Sequence, residues 1–510
     1  MRIRIRMYII SILIILVFTI FCGCSNALWK SSDELVFGTT LATKSLDPAK
    51  EYNGWFTVRY GIAETLFKLD KFMNIIPNLA EDYENIDGET WLIKIRRDIK
   101  FHNGEMMTPE KVKKSLERSL ALNKRAEDTL KIENIEVKDW ELVITTKEVN
   151  PTFINDLCDP FASIINVDAT EDFDNNPIGT GPFKIGSFNL KNTSYLDKYN
   201  DYWKGEPKLN NIKIIHVSDA DTLTMAMQTG EIDVAQGVPY SSVSLFEDES
   251  LYKISSIDTS RMILMYYNYE NKFLNDKNLR KAISMSINKP EYTSVLLKDS
   301  ASYAKGPFPE GMKCGGKSIN VDDYNADEAR RILKDAGYED NDNDGILEKN
   351  SEKLELKLIT YSSRAELPIL AQAIQSDLKD IGINVSVEVS DNIMDILNNS
   401  KFDICLYSNV TAPTGDSYAY LNNLVRSSGA SNYGQYKNEE SEKFLDLMES
   451  ELDKEMRDNL AIKIIQNTID DNGFDFIAHL KMKFIMKSNV VNFDIHQTDY
   501  YQINWETNVE

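Results

Sequence analysis

Residues 354–389 restrict the fold of this chain more than any other stretch. Leu354, Leu356 and Leu358 alternate with polar neighbours as in a half-buried strand. A helical stripe follows, with Leu367, Leu370, Ile374, Leu378 and Ile381 on one face, Ser363 as its expected cap and Gly382 as its stop. Ile383, Val385, Val387 and Val389 then alternate again. Two strands joined by a helix pair in parallel, because the crossover returns the chain to run in the same direction. At least one lobe is therefore expected to be α/β.

A chain of 510 residues exceeds what one hydrophobic core holds, so two or three domains are expected. Its formal charge of −23 would repel nucleic-acid backbones, which sets that class of partner aside.

The N-terminus carries Arg2, Arg4 and Arg6, an apolar run over residues 7–21, then Phe21-Cys22-Gly23-Cys24-Ser25. The run is shorter than the ~20 residues of a spanning helix. A basic region, an apolar region and a small-residue site form a secretion signal. Gly23-Cys24 resembles the end of a bacterial lipobox, although Phe21 stands where leucine is usual. That resemblance makes Cys24 the lipidated first residue of a chain tethered to the membrane. The remaining Cys158, Cys314 and Cys405 are far apart and form no CxxC, so they indicate neither a disulfide framework nor a zinc site. A Cys158–Cys314 bridge is left open.

Along the chain, strands are expected at 35–39, 132–137, 141–146, 212–217 and 261–268. Helices are expected at 55–69, 221–229 and 278–287, with a long helical region over 441–470. Thr108-Pro109-Glu110 opens a helix to about Leu122, with threonine as cap and proline in the first turn. Residues 406–421, LYSNVTAPTGDSYAYL, are polar, aromatic and punctuated by proline and glycine. They read as a loop held out from a scaffold, where binding groups tend to sit.

Two motifs fail for lack of context. Residues 311–318 match the phosphate-loop letters, but no strand precedes and no helix follows them. Asp340, Asp342, Asp344 and Gly345 start a calcium-loop pattern whose twelfth position is Ser351 rather than glutamate, which leaves calcium binding open. The four histidines are scattered, so no multi-histidine metal site is expected, and nothing points to a catalytic triad or a resident cofactor.

Several short motifs then fall in one order: Leu46-Asp47-Pro48-Ala49; Glu64-Thr65-Leu66; Ile76-Pro77-Asn78-Leu79-Ala80-Glu81; Phe101-His102-Asn103-Gly104 followed by Thr108-Pro109-Glu110-Lys111-Val112; Gly179-Thr180-Gly181-Pro182-Phe183; Tyr202-Trp203-Lys204-Gly205-Glu206-Pro207; Gly230-Glu231-Ile232-Asp233; and Leu279-Arg280-Lys281-Ala282-Ile283. In this order and spacing the chain resembles the extracellular solute-binding proteins, family 5, of peptide and nickel ABC importers. The resemblance implies an α/β, two-lobed periplasmic-binding-protein-like fold (type II, the large cluster with an extra subdomain) with an interlobe ligand cleft. It implies a signal peptide at 1–23 and a linker at 24–33. Lobe I would comprise 34–68, 176–266 and 484–510, with an inserted subdomain at 69–175, and lobe II would comprise 267–483. It further implies a monomer on the extracytoplasmic face that hands its ligand to a membrane permease and is not an enzyme. A peptide-sensing receptor of the same fold and a secreted hydrolase are the alternatives.

Two ligand classes stay open. The peptide binders of the family hold the ligand's amine with the first aspartate of a W-x-x-D-x-x-D-P pattern. Aligned on the second aspartate, which is Asp416 here, that clamp falls on Pro413. The stretch Asn409-Val410-Thr411-Ala412-Pro413-Thr414-Gly415-Asp416 is instead similar to the nickel-binding branch, without its nearby histidine. In that branch nickel enters inside a small carboxylate chelator held by arginines, and Arg59, Arg261 and Arg426 are the candidates here. Trp55, Tyr266, Tyr407 and Tyr418 are candidates to stack on a ligand. Asn409, Thr411 and Asp416 complete the expected wall.

Overall fold

The computed structural model describes residues 33–189 and 193–510. The expected signal segment, and Cys24 with it, lie outside those residues. Among the described residues no helix is long and apolar enough to cross a membrane.

Two long antiparallel strands form the spine. Tyr252–Tyr267 pairs with Phe474–Lys487 from Tyr252↔Lys487 to Tyr266↔Phe474. Toward Tyr252 the pair continues through Val234–Gln236 and Glu34–Thr39 to Asn211–His216, and toward Tyr267 through Ile404–Val410 to Glu355–Thr360 and Asn384–Val389. One sheet thus passes between two lobes, each with its own apolar core. Leu35, Phe37, Ile212, Val234 and Phe484 anchor one; Ile263, Leu358, Leu370, Ile374 and Ile404 anchor the other. Between them, the register of the spine shifts between Asp258 and Met262. Such a bulge bends a strand and re-aims its side chains, and here it falls where the two lobes meet.

The strand–helix–strand unit is present as expected. Glu355–Thr360 pairs in parallel with Asn384–Val389, and the helix Glu366–Asp380 buries Leu367, Leu370, Ile374 and Leu378. Gly382 stops it at φ +86°, a conformation that glycine adopts without steric cost. Ser363 does not cap it; the residue at the cap position is Ala365, which offers no side-chain bond. A separate antiparallel sheet of four strands, ordered Ala80–Asn85, Thr90–Ile95, Glu141–Thr146 and Ile132–Lys138, carries the helix Pro109–Leu122 on Val112 and Leu116.

Three expectations change. The helix expected over 55–69 is only Gly54–Arg59: Gly61 turns the chain at φ +67°, and Phe67–Leu69 becomes a strand against Ile75–Pro77. The helical region over 441–470 is two helices, Glu439–Met448 and Lys454–Asp470, the second started by the Asp453 side chain accepting from the Met456 N–H. Residues 406–421 are not all loop. The strand runs to Val410, the helix Tyr418–Val425 follows, and only 411–417 is irregular. Cys158, Cys314 and Cys405 are buried free thiols that act as small hydrophobes in the core, and no Cys158–Cys314 bridge forms.

Candidate functional site

The register shift of the spine opens a cavity of about 220 Å³ at the meeting of the lobes. Thr259, Ser260 and Arg261 line it from one long strand, and Leu480, Lys481 and Met482 from the other. Val410 and Pro413 close it from the loop side, Trp55 from the short helix, and Gln497, Thr498, Asp499 and Tyr500 from near the C-terminus.

The loop wall is fixed from three directions. The Thr411 N–H and Oγ1 both donate to the Ser260 carbonyl, at 2.8 and 3.0 Å, which ties the loop to the bulge. Asn155 Nδ2 donates to the Thr414 carbonyl at 2.8 Å. Gly415 sits at φ +77° against the Met73 carbonyl, which a Cβ would approach to 2.6 Å.

The electrostatics are one-sided. Arg261, Arg364 and Lys481 line the cavity, and none forms an ion pair among the described residues. Burial, and then the Arg364 charge, lower the pKa of the Arg261 guanidinium. The one lining carboxylate, Asp499, is already engaged. It pairs with Arg59 and accepts from Gln502, and Gln236 Nε2 donates to it at 3.3 Å. Burial still pushes its pKa up, with Arg59 opposing. Two buried side-chain atoms of lining residues, Trp55 Nε1 and Gln497 Oε1, have no hydrogen-bond partner. The Trp55 ring stands 5.8 Å from that of Tyr500. The cavity thus offers guanidinium forks for carboxylates and an aromatic face, and no free carboxylate for an ammonium.

Of the ten residues singled out from sequence, Trp55 and Arg261 line this cavity, as does Pro413, the position of the absent clamp. Arg59 stands behind the wall, 2 % exposed and bonded to Asp499. Asp416 accepts from the Tyr418 N–H at 2.7 Å and from Arg457 at 3.0 Å, so it starts a helix and neutralises a buried arginine. Arg426 is taken up by Asp446 and Glu442 and adjoins Tyr418. Tyr266 is buried, its hydroxyl accepting from Asn409 Nδ2 at 3.2 Å. Tyr407 packs beside Tyr361, with ring centroids 5.3 Å apart, and Thr411 is spent on Ser260. Sequence reasoning missed Arg364, Lys481 and the segment from Gln497 to Tyr500. Arg364 directly follows Ser363, which read as a helix cap, and the C-terminal segment has no periodicity to mark it.

No histidine or cysteine lines the cavity. His102, His479 and His496 are bonded to the carbonyls of Gly181, Gly306 and Asp70. A metal ion in the cleft would find no imidazole or thiolate among the lining residues. Elsewhere, Asp340, Asp342 and Asp344 converge within 4.8 Å, but Lys353 pairs with Asp342 at 2.9 Å and with Asp344, so an ammonium already balances two of the three charges.

Comparison with known proteins gives a consistent picture. The family model "Bacterial extracellular solute-binding proteins, family 5 Middle" matches residues 74–432. The nickel-binding protein NikA of Staphylococcus aureus is 29% identical over 96% of both chains. Its structure in complex with Ni(L-His)2 covers 94% of this chain and 100% of that one, at a TM-score of 0.72. A nickel ABC transporter structure from Bacillus halodurans is 32% identical and covers 94% of this chain and 100% of its own, at a TM-score of 0.87. The oligopeptide-binding protein AppA of Bacillus subtilis is 25% identical over 86% of this chain and 84% of its own.

Proposed function

Since this chain belongs to the bacterial extracellular solute-binding proteins of family 5, we propose that its cleft captures a small metal chelate, nickel held by an amino-acid-type carboxylate ligand, for delivery to an ABC permease. The observation that carries this choice over a peptide is the pair of guanidiniums, Arg261 and Arg364, left without carboxylates in a cleft that has no free carboxylate of its own. A peptide's ammonium would meet cations here, and burying it unpartnered is costly. A chelator's carboxylates would meet planar forks that bond them two at a time. The absence of histidine and cysteine from the wall fits a metal whose coordination is completed before it arrives. Nickel is then cargo, and no residue has a catalytic task.

The relatives named for nickel support the same choice, and AppA supports a peptide as the second reading. We further propose that residues 1–23 are removed, that Cys24 is lipidated, and that a monomer works at the outer face of the membrane. The division into lobe I, inserted subdomain and lobe II is kept as the working description of its domains. Native mass spectrometry of the protein as purified tests the ligand. A mass increment containing nickel and a small carboxylate supports the reading; a metal-free peptide ladder refutes it.

A further inference from the structure

The loop that carries Pro413 rests on the short helix Phe153–Asp156, in the region expected as the inserted subdomain. Asn155 Nδ2 ties the two together through the Thr414 carbonyl at 2.8 Å. Its neighbour Asp156 is 6% exposed and meets no cation among the described residues. The charges that bear on it are the carboxylates of Asp416, at the far end of the same loop, and of Asp159. Both are already paired, Asp416 with Arg457 at 3.0 Å and Asp159 with Arg125. The buried Cys158 thiol also adjoins Asp156.

The hydrogen bonds around Asp156 count its proton. Thr152 Oγ1 lies 2.9 Å from Asp156 Oδ2 and 3.0 Å from Asn150 Oδ1. The Asn150 amide is oriented by its other bonds: Oδ1 accepts from the Thr152 N–H at 3.2 Å, and Nδ2 donates to the Thr129 carbonyl at 3.4 Å. A hydroxyl has one hydrogen, so Thr152 cannot donate to both oxygens. Both contacts are hydrogen bonds when Asp156 carries a proton and donates it to Thr152 Oγ1, which in turn donates to Asn150. Burial favours the same state and raises the carboxyl to about 8, with Thr152 opposing and the Asp416 and Asp159 charges adding to the rise.

Given a ligand in the cleft, we propose that Asp156 is a positioning residue for the cleft wall: its protonated side chain lets residues 411–417 seat, and loss of the proton unseats them. The ionised carboxylate would face Asp416 and Asp159 where both arginines are spent. It would also draw the Thr152 hydrogen away from Asn150. Movement of the loop relieves the repulsion and takes Pro413 out of the cavity wall. An exposed aspartate ionises near pH 4. Between that value and about pH 8 the seated loop holds the extra proton, so seating is strongest at low pH and weakens as pH rises toward 8. Ligand affinity follows the fraction of protein whose wall is seated.

Two measurements on the full chain test this. Hydrogen exchange over residues 411–418 in the ligand-free protein, corrected for intrinsic rates, reads the loop without any ligand. Calorimetric titration with nickel and L-histidine at pH 6 and pH 8 reads capture, and the ratio of parent to Asp156→Asn cancels the pH dependence of the chelate itself. Between pH 6 and pH 8 the parent should lose about tenfold in loop protection and in affinity relative to Asp156→Asn. Arg261→Ala should weaken titration at both pH values and leave the exchange profile unchanged. Loop exchange that varies with pH equally in parent and Asp156→Asn overturns the proposal, as does an affinity ratio that stays constant while nickel–histidine binds. If nickel–histidine does not bind at all, the chelate reading falls, and the exchange comparison decides the role of Asp156 by itself.

Discussion

Arg261 and Arg364 face one cavity, and neither guanidinium meets a carboxylate. Like charges brought together at a half-buried site raise the energy of the empty protein, and burial adds to it. An anionic ligand removes that cost, so the arrangement stores selectivity for anions in a chain whose net charge is −23.

Arg261→Ala and Arg364→Ala should each weaken binding of a carboxylate chelate by roughly ten- to a hundredfold, the worth of a charge-assisted hydrogen bond. The melting temperature of the empty protein should hold or rise. Arg59→Ala should do the reverse. It strips Asp499 of its ion pair and should cost about 3 kcal/mol of stability. Calorimetric titration beside thermal melts separates the two behaviours.

Pro413→Asp restores a carboxylate at the wall position where peptide binders would clamp an amine. Here it would lie in the same cavity as Arg261 and Arg364 and compete with the ligand for them. Chelate affinity should fall by about tenfold, measured by titration, and any gain in affinity for amine-bearing peptides would appear in the same series.

Gly415→Ala tests the loop. The position is at φ +77° and a Cβ would lie 2.6 Å from the Met73 carbonyl, so both backbone strain and a clash oppose it. A loss of about 1–3 kcal/mol is expected, with weaker ligand binding because the same loop carries Pro413. Chemical denaturation measures the first and titration the second.

Asp156 is buried, and burial pushes its carboxyl up to about 8, with Thr152 opposing and the Asp416 and Asp159 charges adding to the rise. An unfolded aspartate ionises near pH 4. Between those values the native state holds the extra proton, so this residue's contribution is full below pH 4 and lost as pH rises toward 8. Asp156→Asn should be near neutral at pH 4 and stabilising by a few kcal/mol at pH 8. Buried His102 and His479, pushed down to about 4, act in the opposite sense, destabilising the fold as pH falls below the usual histidine value, but they cancel between variant and parent. Melting curves across this range check it; a shift of constant size at every pH would contradict it.

The α/β unit over 354–389 was legible because alternation and a helical stripe are local patterns, and the parallel register from Glu355↔Asn384 to Thr360↔Val389 follows from them. The cleft was legible only in part. Arg261 and Pro413 could be reached through the motif order, but the residues around them come together through the spine's bulge and through long-range pairs. Arg59 and Asp499 are 440 positions apart, and nothing local announces that one will neutralise the other. Asp416 was expected in the ligand wall because sequence does not show that Arg457 is buried beside it. The helix expected over 55–69 failed for a related reason. Its apolar spacing is real, but Gly61 turns the chain and the apolar residues beyond it serve a strand.

The most direct measurement is calorimetric titration of the metal-free protein with nickel and L-histidine together, with each alone, and with a pool of di- to pentapeptides. Saturable binding that requires nickel and histidine together, and is weakened in both Arg261→Ala and Arg364→Ala, is the predicted result. Tight binding of metal-free peptides, with no response to the nickel–histidine mixture, would contradict the account.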